Sequence, residues 1–136
     1  MDIQTYLNFN GQCEEAFGFY EKVLGGQSFG IHRFRGSPME KHVPAEWGEK
    51  VMHTGLRVGT SLILGSDPPP GRFNGMHGFA VCLNLDDEAE AERVFAALSE
   101  GGQVHMAIQE TFWALRYAMF TDRYGTPWMI NVPKPM

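Results

Sequence analysis

Five histidines, two cysteines and a short aromatic run carry the chemistry this sequence could perform. His32, His42, His53, His77 and His105 show no i, i+4 pair of the kind that binds zinc on a helix, so ordinary surface or hydrogen-bonded histidine is the default for them. Cys13 and Cys82 make neither a CxxC motif nor a disulfide framework. Cys13 opens a helix whose dipole would favour a thiolate, but Glu14 and Glu15 oppose it, and Cys82 sits in an apolar run that reads as core. Phe112-Trp113, with Glu110 before it and Arg116 after it, could receive a flat or anionic organic ligand by stacking and a bidentate contact. The competing expectation is that Trp113 and Trp128 fill a core or anchor an interface while Arg116 pairs with Glu110.

The elements that must position these residues are written twice. Residues 7–27 align with 83–103 without a gap, and seven of the twenty-one positions are identical: Leu7/Leu83, Asn8/Asn84, Glu14/Glu90, Phe19/Phe95, Gly25/Gly101, Gly26/Gly102 and Gln27/Gln103. A second block, Arg57-Val58-Gly59-Thr60 against Arg123-Tyr124-Gly125-Thr126, follows at an offset of 66 instead of 76, as though the second copy had lost ten residues. Strands are predicted over 3–9, 27–34, 51–58 and 61–66, then over 78–85, 103–109, 115–121 and 127–132. Helices are predicted over Cys13–Leu24, with Ala16, Phe19, Tyr20 and Val23 inward, and from an Asp86 or Asp87 cap to about Ser99, with Ala91, Val94, Phe95 and Leu98 inward. The order is βαβββ twice, an α+β class, with module one over 1–66, a Pro-rich linker over 67–77 and module two over 78–136. A second long loop, residues 35–50 with Pro38, Pro44 and Trp47, would either cover a pocket or fill a sheet edge.

With 136 residues, 43% of them hydrophobic, the chain has the makings of one compact domain, and neither half would bury a sufficient core alone. A net charge of −5 and a pI near 5.5 argue against nucleic acid and anionic membranes as partners. The first residues show no basic segment followed by an apolar run, and the expected location is the cytoplasm.

The motifs Asn10-Gly11-Gln12-Cys13-Glu14-Glu15-Ala16, Phe19-Tyr20, Leu24-Gly25-Gly26, Gln109-Glu110-Thr111-Phe112-Trp113-Ala114, Thr121-Asp122-Arg123-Tyr124-Gly125 and Pro127-Trp128-Met129-Ile130-Asn131 resemble the PhnB-like family of the glyoxalase, bleomycin-resistance and dioxygenase (vicinal oxygen chelate) superfamily. The resemblance implies paired βαβββ modules in a curved, half-barrel-like mixed sheet with helices outside. It also implies a homodimer, often with swapped modules or arms. It does not imply one reaction, since members include metal-dependent isomerases, ring-cleaving dioxygenases, thiol transferases and drug-sequestering proteins.

Metal-using members place His or Glu on the first and fourth strands of each module. The corresponding slots here read Gln4 or Thr5, Leu64 or Gly65, Ala80 or Val81, and Ile130 or Asn131, none of them a strong donor for a divalent cation. No metal or other cofactor is therefore expected. His53, in a Met52-His53 pair that recurs in the family, would be a base or a ligand hydrogen bond, against the alternative of a satisfied sheet histidine. The leading expectation is a metal-free homodimer that binds a small organic molecule through Phe9, His53, Phe112, Trp113, Arg116, Trp128 and Asn131. Its rivals are a metal-dependent lyase, isomerase or dioxygenase using loop histidines such as His42 or His77, and a non-enzymatic dimeric interaction module.

Overall fold

The computed structural model describes residues 1–135, in two compact units, Met1–Gly75 and the chain from Met76 on. Unit one runs β1 (Thr5–Asn8), α1 (Cys13–Leu24), β2 (Gln27–Arg33), β3 (Val51–Val58) and β4 (Ser61–Ser66); unit two runs β5 (Val81–Asn84), α2 (Glu88–Ser99), β6 (Gln103–Gln109), β7 (Ala114–Thr121) and β8 (Pro127–Pro133). Each unit is βαβββ, with a four-stranded mixed sheet in the order β1-β4-β3-β2 or β5-β8-β7-β6. The first strand of each lies parallel to the fourth, and the other pairs are antiparallel. The outer strands β1 and β5 are shorter than their apolar runs suggested. No helix among the described residues is long and apolar enough to cross a membrane.

Each helix covers one face of its own sheet. Cys13, Ala16, Phe17, Tyr20 and Val23 of α1 are buried with Leu7, Thr54, Leu56 and Ile63, and Ala91, Val94 and Leu98 of α2 with Ala118, Phe120, Trp128 and Ile130. Phe19 and Phe95, expected inward, are only half-buried, because Phe17 and Val94 take the central positions. Asp87 caps α2 by accepting the Ala89 N–H at 3.2 Å.

The repeated Gly-Gly pairs have two separate causes. Gly25 and Gly101 take positive φ, 73° and 77°, to leave the helix. Their neighbours Gly26 and Gly102 pass so close to the adjoining strand that a Cβ would lie 2.5 Å from the Arg57 carbonyl oxygen or 2.1 Å from that of Thr121.

The hairpins correct the repeat register. Leu7 faces Gly65 in the β1–β4 ladder, whereas its counterpart Leu83 faces Ile130. Gly65 therefore corresponds to Ile130, and Ser66 to Asn131, at an offset of 65. The β3–β4 turn is the two residues Gly59-Thr60, while in unit two the Asp122 N–H bonds the Thr126 carbonyl at 2.9 Å around three, Arg123-Tyr124-Gly125. The extra residue falls in turns whose glycines, Gly59 and Gly125, otherwise match.

A buried carboxylate braces each unit from within. Asp67, expected in the linker, accepts N–H groups of Gly11 at 2.8 Å, Cys13 at 3.0 Å and Val51 at 3.1 Å, tying the entry of α1 to β3. Trp47 reaches the Asp67 carbonyl at 3.5 Å, Lys50 donates to the Gly11 carbonyl at 3.0 Å, and the Arg35 N–H bonds the Gly48 carbonyl at 2.8 Å, so the 35–50 loop is closed on itself and fastened at the ends of β4 and the entry of α1. Asp122 plays the corresponding part in unit two.

Candidate functional site

Alternation along a strand sends one set of side chains toward the helix and the other to the opposite, open face of the sheet. Thr5, Gly65, Val81 and Ile130 share registers with helix-side residues, so four of the eight expected metal slots are turned away from the open face.

On the open face of unit one, Tyr6, Leu64 and Gly55 stand in one row, and Phe29 packs over Gly55, whose Cβ would sit 2.6 Å from the Phe29 ring. The Arg57 guanidinium stacks on that ring at 5.7 Å. The next row holds Asn8 and Ser66, with the Ser66 hydroxyl 3.5 Å from the Asn8 amide oxygen, and His53 opposite His32. The Tyr6 hydroxyl lies 3.4 Å from His53 Nδ1, a contact that orients the imidazole.

On the open face of unit two, Asn84, Asn131, Tyr117 and Gln109 are direct cross-strand neighbours. Asn131 donates to the Asn84 side-chain oxygen at 3.0 Å, and its own Oδ1 is buried with no hydrogen-bond partner. Trp113 meets Tyr117 edge-on at 5.1 Å, and Phe112 meets Trp113 at 4.6 Å. Phe112 is 88% exposed.

The expected site residues thus divide. His53 lies on the open face of unit one, and Trp113 and Asn131 converge on that of unit two with Phe112 at the rim. Phe9 and Trp128, each 1% exposed, are core instead. Phe9 packs against Phe17 and Tyr20, and the Trp128 indole N–H is held by Asp122. Arg116 is turned to the helix side, where it binds Glu92 at 3.0 Å and Glu88 at 3.7 Å; Glu110 pairs instead with Lys134. Arg116 lies two and four positions before buried Ala118 and Phe120, and that even spacing puts it beneath α2.

Tyr6, Asn8, Asn84 and Tyr117 were not singled out from the sequence. The repeat held the signal for two of them: Asn8 and Asn84 each follow a helix-side leucine, Leu7 buried and Leu83 half-buried, and so must face the other way. His42 and His77 are exposed, and His105 bonds the Thr121 hydroxyl at 2.9 Å.

Cys13 is buried, and burial foremost, with the Asp67 and Glu14 charges behind it, pushes its thiol far above the ordinary range. This disposes of the helix-dipole expectation. Between α1 and the strands β2 and β3 runs a groove of about 190 Å³ bordered by Glu14, Phe17, Glu21, Ser28, Ile31 and Thr54. It is small for an organic ligand, and neither His53 nor Trp113 borders it.

A model of the Glyoxalase/Bleomycin resistance protein/Dioxygenase superfamily matches residues 3–130. The chain belongs to that superfamily. Protein YjdN of Escherichia coli K12 is 33% identical over 98% of this chain and 97% of its own length. The solved structure of PA1353 from Pseudomonas aeruginosa is 45% identical over 96% of each chain, with a TM-score of 0.89. A PhnB protein of Bacillus cereus, at 21% identity, covers 96% of this chain and 98% of its own with a TM-score of 0.79, and carries the fold. The family model and the YjdN likeness establish the superfamily, and the solved structures show the shared fold.

Some superfamily members work through a divalent metal, and the donor set here does not suit one. The open-face residues of the first and fourth strands are Tyr6, Asn8, Leu64 and Ser66 in unit one and Cys82, Asn84, Met129 and Asn131 in unit two. Hydroxyls, amides, thioethers and a single thiol do not repay the dehydration of such an ion. Among the described residues, no three His, Cys, Asp or Glu side chains are grouped.

Proposed function

We propose that this chain is a small-molecule-binding member of its superfamily that holds a flat, partly apolar organic ligand against the open sheet face of unit two, without a divalent metal. In this reading it works in the cytoplasm as a homodimer. The observation that carries the reading is Asn131 Oδ1, a buried acceptor with no partner beside the Trp113–Tyr117 aromatic pair. A buried unsatisfied acceptor costs about 1–3 kcal/mol, a cost that a ligand N–H or O–H stacked on the aromatic pair would relieve.

A thermal-shift screen of aromatic amides and small-molecule antibiotics, followed by tryptophan fluorescence titration of the hits, tests it. A hit should perturb Trp113 emission and bind Asn131→Ala about tenfold more weakly. A panel without hits, or hits that bind Asn131→Ala and Trp113→Ala as tightly as the parent protein, would overturn the assignment. About one tightly held Zn, Ni, Mn or Fe per chain after mild purification would overturn its metal-free part.

A further inference from the structure

Beside the amide row of unit two runs a row of sulfur. Cys82 on β5 is paired directly with Met129 on β8, Met129 with Met119 on β7, and Met119 with Met106 on β6. Directly paired residues project from the same face, so Cys82, Met129 and Met119 bring sulfurs to the open face on three adjacent strands, and Met106 adjoins them from β6, whose ladder is irregular on both sides of it. The helix side of the same strands carries Ala118, Phe120, Trp128 and Ile130, the branched, aromatic and small residues usual in a sheet core. None of the four sulfur residues is fully buried.

We propose that Cys82, Met129 and Met119, with Met106 at the end of the row, form a binding site for a soft monovalent cation, copper(I). Soft thiolate and thioether ligands suit that ion and not manganese or magnesium, and one thiolate with two thioethers lacks the further thiolates or imidazoles that zinc takes. The geometry accommodates them: adjacent strands lie about 4.8 Å apart, and the unbranched methionine side chain has three rotatable bonds with which to swing its sulfur across that gap. The Tyr117 hydroxyl lies 4.0 Å from the Met129 sulfur, a weak contact that leaves a lone pair for metal. On binding, the Cys82 S–H proton passes to solvent as the sulfur–copper bond forms. The thioethers donate neutral lone pairs, and copper remains monovalent, so no electron donor or acceptor is needed.

The other use of a methionine-rich face is adaptable apolar packing, and the test separates the two. Under anaerobic conditions, the full chain is titrated into the coloured complex of copper(I) with bicinchoninate. One equivalent of copper(I) should leave the dye per chain, with a sulfur-to-copper absorption band in the near ultraviolet. Met129→Leu and Met119→Leu keep the apolar volume but remove the donor, and each should weaken binding about tenfold or more, as should Cys82→Ser. Cys13→Ala should bind like the parent protein, and circular dichroism melts verify that every variant is folded. Failure of the folded parent protein to draw copper(I) from the dye would overturn the proposal. So would undiminished binding by Cys82→Ser and Met129→Leu. Neither result bears on the organic-ligand site, whose test reads Asn131 and Trp113.

Discussion

The Trp128 indole N–H donates to Asp122 Oδ2 at 2.8 Å, at the turn into the last strand of unit two, and both residues are buried. The same carboxylate takes the backbone N–H of Tyr124 at 2.8 Å and of Thr126 at 3.0 Å through its other oxygen. One side chain thus sets the three-residue turn and orients the largest aromatic of the core. Asp122→Ala would leave three donors without their acceptor, and a loss of about 3 kcal/mol is expected. Asp122→Asn keeps an acceptor oxygen and should lose less. Urea denaturation followed by tryptophan fluorescence measures both; equal stability of parent protein and Asp122→Ala would refute the role.

The second glycine of each Gly-Gly pair is required by space, not by dihedral angle. Gly102→Ala would press a methyl group against the Thr121 carbonyl oxygen and should cost about 1–3 kcal/mol. Gly18, in the exposed middle of α1 with nothing within 4 Å of its would-be Cβ, gives the opposite sign: Gly18→Ala should stabilise by about 0.5–1 kcal/mol. Thermal melts of the two variants should shift in opposite directions.

The two thiols should differ sharply in reactivity. Burial raises both thiols above their ordinary value of 9.0, Cys13 by far the more. At neutral pH an alkylating reagent should modify Cys82 alone, as read by peptide mass spectrometry, and reach Cys13 only on unfolding. The sign of the stability effect follows. Above pH 9.0 the unfolded chain releases the Cys13 proton while the folded chain keeps it, so stability falls as pH rises further. Denaturant melts on either side of that pH should show this decline in the parent protein and a shallower one in Cys13→Ala. Equal slopes would exclude Cys13 as its source.

Much of the fold was legible because it rests on local periodicity and on a repeat. Apolar spacing placed α1, and the Gly-Gly pairs ended both helices where the backbone turns. The errors arose where a one-residue difference reverses a side chain. Matching Gly59-Thr60 to Gly125-Thr126 missed the longer turn in unit two, and so paired Gly65 with Asn131 when Ser66 is its true counterpart. For the same reason half of the expected metal slots proved to face the helix.

The sequence by itself determined the duplicated βαβββ plan, the helix boundaries and the scarcity of strong ligands for a divalent metal, because composition and short-range spacing carry those properties. Only the tertiary structure decided which side chains share a face. Trp128 and Phe9 went to the core because they alternate with open-face residues, and Arg116 was drawn to the carboxylates of α2. Asn84 met Asn131, and Cys82 joined a row with three methionines spread over residues 106–129, because strand pairing brings together residues that are far apart in the chain.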